Sequence, residues 1–200
     1  MINAFAAKPN LRSASRLPAI SRAGDITVAE LGLLVGCGAL ATLAVGLFHL
    51  QIRVPGHAIL RAVLPMALGL ALVPRRSAGM VMAIGAGLAA AALSWAQVGR
   101  FPPAALLSLL ALGPVLDLAL AGKASGWRLY ARFAAAGMIT NLLAFAARLL
   151  AAKLGWELAG SRQFITFWSG ALVSFLLCGA LAGAISVAFW FRLRTDQAQS

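Results

Sequence analysis

The sequence is short of acid: in 200 residues the carboxylates are Asp25, Glu30, Asp117, Glu157 and Asp196. Spread so thinly, they leave acid–base catalysis little to work with. No hydrolase elbow, phosphate-binding Walker loop, HExxH helix or dinucleotide fingerprint accompanies them, so no catalytic residue, and no enzyme, is expected. The two cysteines, Cys37 and Cys178, both lie in apolar runs. They form neither a CxxC pair nor a disulfide framework and leave the redox compartment open. The two histidines, His49 and His57, flank Arg53 with no acid or thiol nearby. That is too few ligands for a transition metal, and interfacial hydrogen bonding is the plainer role; no metal or cofactor is expected. Residues 1–24 carry Lys8, Arg12, Arg16 and Arg22, no acid, and no apolar core of the kind a secretory signal needs. A disordered basic cytoplasmic tail is the expectation there, with an organellar targeting peptide of the same composition as the alternative.

What remains is apolar. The chain is 62% hydrophobic and 11% charged, against about 45–50% and about 25% in soluble domains. A lipid bilayer explains that composition; a soluble core of this size does not. The formal charge of +12 raises the question of nucleic acid. Yet the basic residues sit in short clusters between apolar runs, as the positive-inside rule places them, and nucleic-acid binding is not expected. A spanning helix takes about 20 apolar residues. Six candidates follow in order over 28–50, 58–73, 79–98, 104–121, 129–152 and 164–191. The second is short and contains Pro65, so five spans with a re-entrant segment stay open. The expected fold is all-α: a multi-pass helical bundle over 25–194, after the basic tail and before a short carboxyl tail at 195–200.

Six spans would put eleven basic residues on one side and six on the other. The richer side holds the amino tail, Arg75-Arg76, Lys123, Arg128, Arg132, Arg192 and Arg194. The poorer side holds Arg53, Arg61, Arg100, Arg148, Lys153 and Arg162. The richer side is then cytoplasmic, with both termini, in the inner membrane of a cell. Small residues recur every four positions at Gly32/Gly36, at Gly79/Ala83/Gly87/Ala91, and at Gly170/Ser174/Cys178/Ala182/Ser186. Such stripes let backbones approach closely. They predict a compact bundle, or a groove where a second membrane subunit docks. Trp95, Trp127, Trp156, Trp168 and Trp190 mostly fall near span ends, as an interfacial belt does.

Polar residues inside spans are costly and mark pairing or function. On the fifth span Asn141 and Arg148 are seven apart and share a face; on the second, His57 and Arg61 are four apart. Together they would form a cationic, hydrogen-bonding pocket opening outward, suited to a small anionic or carbonyl-bearing ligand, with His57 at its mouth. The alternative is that Arg61 and Arg148 snorkel to the interface. Asp117 follows Gly113-Pro114 near the inner end of its span, at a depth similar to Arg132. A structural Asp117–Arg132 ion pair is expected there, the alternative being that Asp117 titrates or meets a partner.

The run from Val54 to Arg76 has a short apolar helix, a Leu-Gly element, a Pro-basic turn and a Gly/Ala-rich helix following from Gly79. It resembles substrate-capture (S) subunits of energy-coupling-factor transporters, which take up vitamins and transition metals. The resemblance covers about twenty residues as pattern and most of the chain as architecture. It implies outer-side capture of a small solute and docking on a transmembrane coupling subunit driven by cytoplasmic ATPases. The implied docking positions are Gly32, Gly36 and Ala44. Metal-specific members carry a histidine just after the amino-terminal methionine, where this chain has Ile2 and a basic tail; cobalt or nickel uptake is therefore not expected. The rival readings are a membrane scaffold or assembly subunit and, more remotely, an enzyme on a lipid-borne substrate using His57 and Asp117.

Overall fold

The computed structural model describes residues 26–47, 56–98, 101, 103–121, 127–154 and 166–188. The expected tails at 1–24 and 195–200 lie outside the described residues, as do His49, Arg53, Arg100, Lys123, Trp156, Arg162, Trp190, Arg192 and Arg194. Among the described residues there are six helices and no strand. They are α1 (Val28–Leu47), α2 (Ala58–Leu72), α3 (Ala78–Trp95), α4 (Pro103–Leu120), α5 (Trp127–Lys153) and α6 (Trp168–Ser186). Four of them, α1, α3, α5 and α6, are long and apolar enough to cross a membrane; α2 and α4 contribute shorter apolar stretches. The protein is thus a helical membrane protein.

Local chemistry explains two of the helix ends. α1 opens with a capping box: the Glu30 carboxylate accepts from the Thr27 amide at 2.9 Å, and Thr27 Oγ1 accepts from the Glu30 amide at 3.3 Å. α2 stops at Val73-Pro74, where the residue before proline is pushed out of the helical region. Glu30 also reaches across to Arg75 at 3.2 Å, tying the start of α1 to the α2–α3 turn.

α2 lies at the centre. It buries Ile59, Ala62, Val63, Met66, Ala67, Leu70 and Ala71 and touches each of the other five helices. Those five form an arc in the order α1, α3, α4, α5, α6, and α2 closes it between α6 and α1. Glycines sit where neighbouring helices approach most closely, and large apolar side chains also cover the outside. The backbone of Gly79 on α3 meets that of Gly113 on α4, and Gly137 on α5 meets Gly179 on α6; a Cβ at any of these would collide with main-chain atoms. Outward faces carry Leu33 and Leu40 on α1, Ile84 and Leu88 on α3, Leu110 and Leu118 on α4, Leu142 and Leu150 on α5, and Leu177 and Leu181 on α6. Lipid tails are as apolar as these side chains, so helices in a bilayer associate through close backbone packing. Exposed Trp95, Trp127 and Trp168 stand at helix ends.

Candidate functional site

The contacts define two ends of the bundle. The Glu30–Arg75 pair marks one, which holds the starts of α1, α3 and α5 and the ends of α2, α4 and α6. The opposite end begins where α2 starts, and His57, Arg61 and Asn141 converge there.

Asn141 is 3% exposed, on the face of α5 that meets α6. Its Nδ2 donates to the Phe175 carbonyl at 2.6 Å and to the Gly56 carbonyl at 3.2 Å. The Asn141 amide, expected to contact a ligand, thus gives its donors to two main-chain carbonyls and pins the first residues of α2 against α6. Gly56 has φ +84°, a conformation that side-chain-bearing residues rarely adopt, and a Cβ there would lie 2.9 Å from Asn141 Nδ2 and 3.0 Å from the Phe175 main chain. Phe145 meets Phe175 edge to face at 5.6 Å just beyond.

The depth of this meeting point follows from helix length. α5 has 27 residues, about 40 Å at about 1.5 Å per residue, longer than a hydrocarbon core of about 30 Å. Asn141 is near its middle, so α2 begins about 18 Å below the α5 terminus. His57 occupies the cap position of α2 and makes no side-chain capping bond. One turn on, Arg61 points back along the helix toward it: Nη2 lies 3.4 Å from His57 Nε2 and Nη1 lies 3.5 Å from the Ala44 carbonyl on α1. Arg61 Nε is buried with no hydrogen-bond partner. Arg148 stands two turns beyond Asn141 on α5, half-buried, and is not among the hydrogen-bond partners of Arg61 or Asn141. Of the four expected binding residues, His57 and Arg61 meet; Asn141 bonds the Gly56 carbonyl next to His57, and Arg148 lies further out along α5.

The other expectations resolve differently. Asp117 does not pair with Arg132. Its two oxygens accept from the Gly79 and Met80 amides at 2.8 and 2.9 Å, while Arg132 Nη1 reaches the Ala119 carbonyl at 3.4 Å. The reason is local. Ser77 precedes α3 with φ +65° and cannot cap it, and the Gly79–Gly113 approach brings the end of α4 directly over the bare first turn. A carboxylate is favoured there by the unpaired amides and by the helix dipole. Asp117 and His57 stand at opposite ends of the bundle and cannot act on one substrate atom. Of the expected docking positions, Gly32 and Gly36 have open space where a side chain would be, and Ala44 borders Arg61. The capping box Thr27-x-x-Glu30 was readable in the sequence and was missed; the partnership of Glu30 with Arg75, 45 residues away, had no local signal.

Comparison with protein-family models, with curated proteins and with solved structures returned no match.

Proposed function

We propose that the protein crosses the inner membrane six times with both termini cytoplasmic, and that it captures a small solute from the outer side as the substrate-binding subunit of an uptake transporter. One observation carries the reading: His57, Arg61 and Asn141 converge on the start of α2, about 18 Å below the end of α5. Polar groups so deep in a spanning bundle are costly, and a ligand or pathway is the usual compensation. In this reading His57 and Arg61 face the solute, Arg148 lies on its approach, and Asn141 holds the floor in place. The open track at Gly32 and Gly36 then serves docking on a transmembrane coupling subunit, whose cytoplasmic ATPases supply the energy.

A second reading, a membrane scaffold or assembly subunit, draws on a different observation. Asp117, Glu30 with Arg75, and the Asn141 amide all bind groups within the chain and join helices to one another. Purification of the tagged protein in mild detergent, with mass spectrometry of co-purifying proteins and retained small molecules, separates the two. A second membrane subunit with ATPases, or one stoichiometric small ligand, supports capture. Protein that is free of both supports the scaffold.

A further inference from the structure

Arg61 is a half-buried cation without a counter-ion among the described residues. Its three nitrogens account for themselves poorly. Nη1 is at 3.5 Å from Ala44 O, the outer limit of a hydrogen bond; Nη2 is at 3.4 Å from His57 Nε2; Nε is buried and unbonded. The described carboxylates, Glu30 and Asp117, sit at the far end of the bundle, bound to Arg75 and Thr27 and to the α3 amides. Between α1 and α2 a guanidinium keeps its charge, because it does not deprotonate in proteins. The start of α2 brings a partial positive charge to the same place, and the His57 side chain does not cap it.

We infer that the solute captured at this end carries an oxyanion, of carboxylate or phosphate type, which Arg61 binds end-on through its two Nη groups, whose contacts with Ala44 and His57 are long. The inference rests on the capture reading and narrows it. A neutral carbonyl would satisfy one N–H and leave the charge uncompensated. An oxyanion satisfies two and cancels the charge in a place where water is scarce. Arg61 would then be kept at the expense of the empty protein's stability, since an apolar residue of similar length would pack there without an unpaired charge.

That consequence supplies a test needing no knowledge of the natural solute. Wild type and Arg61→Met are purified in detergent, and thermal unfolding is followed by tryptophan fluorescence. The probes are millimolar sodium benzoate, inorganic phosphate, and uncharged benzamide as a shape control. The expected result is that empty R61M melts about 2–4 °C above wild type. Benzoate or phosphate raises the melting temperature of wild type and not of R61M, and benzamide raises neither. R61M melting at or below wild type overturns the inference, because the charge then has a partner inside the protein or lies in solvent. An R61M/Glu157→Gln double variant that regains the wild-type value would name that partner. Stabilisation of wild type by added phosphatidylglycerol and by neither salt also overturns it, assigning the oxyanion to a lipid headgroup. If the melting pattern holds while no coupling subunit co-purifies, the oxyanion site stands and the transporter role falls.

Discussion

Replacing Asp117 by Ala removes both hydrogen bonds that close the first turn of α3. A hydrogen bond to a charged group contributes about 1.5–3 kcal/mol when buried, and loss of a helix cap costs about 0.5–2 kcal/mol. The two bonds are not equal. The bond from the Gly79 amide is part-buried, whereas the Met80 amide is on the exposed side and is more readily rehydrated. About 2 kcal/mol for the first and about 1 for the second give about 3 kcal/mol. For a chain of this size that is a fall of about 6–12 °C in melting temperature. Asp117→Asn keeps one acceptor and turns an NH2 toward the other amide, so roughly half the loss is expected. The assay is tryptophan fluorescence on heating in detergent, with hydrogen exchange across residues 78–82 to localise the effect. D117A melting within about 2 °C of wild type would refute the capping argument. Combination with Arg132→Gln adds an independent check: the two effects should sum, because the side chains have separate partners. A coupling above about 1 kcal/mol would restore the ion pair.

Two further perturbations follow from the contacts. A Cβ at Gly38 would fall 2.9 Å from the Ala86 amide nitrogen and against the Met82 carbonyl, while one at Gly36 would meet nothing within 4 Å. Gly38→Ala should therefore cost about 1–3 kcal/mol or the folded state itself, measured by monodisperse yield and melting, and Gly36→Ala should leave both unchanged. Asn141→Leu keeps the volume and loses both donors, leaving the Phe175 and Gly56 carbonyls without that partner. A loss of about 1–3 kcal/mol is expected, with faster hydrogen exchange concentrated at residues 56–61; uniform acceleration across the bundle would argue against a local tether.

The helices were legible because their limits are written in local chemistry. Pro74-Arg75-Arg76 and Pro102-Pro103 interrupt apolar runs with residues that break helices or need water, and α2, α3 and α4 begin and end within three residues of the expected spans. Stripes of small residues were legible as stripes but not as contacts. On α3, Gly79 and Ala83 pack against α4, but Ala91 at the far end of the same stripe is exposed, and the contact with α1 runs through Met82, Gly85 and Ala86 instead. On α6 the approach to α5 passes through Gly179 and Gly183, next to the Cys178/Ala182/Ser186 row. Spacing places residues on one face; which face meets a neighbour depends on the rotation of every other helix.

The candidate site shows the same division for polar groups. His57 and Arg61 are one turn apart on one helix, so their meeting could be read from spacing. Asn141 is expected from the sequence to contact a ligand, whereas its partners lie 34 and 85 residues away and are main-chain carbonyls, which carry no sequence signature. Asp117 was matched to Arg132 because opposite charges at similar depth attract. The structure instead gives it two amides that Ser77 cannot cap. A carboxylate at a helix start gains directional hydrogen bonds and a favourable dipole without immobilising a long arginine side chain, and within a bundle that arrangement prevails. Side-chain charges can be counted from sequence, whereas exposed helix ends appear only once the helices are placed. Arg61 is the reverse case: no described carboxylate pairs with it and it meets the last turn of α1 only through a 3.5 Å contact with the Ala44 carbonyl, and that is why its compensation is sought in a ligand.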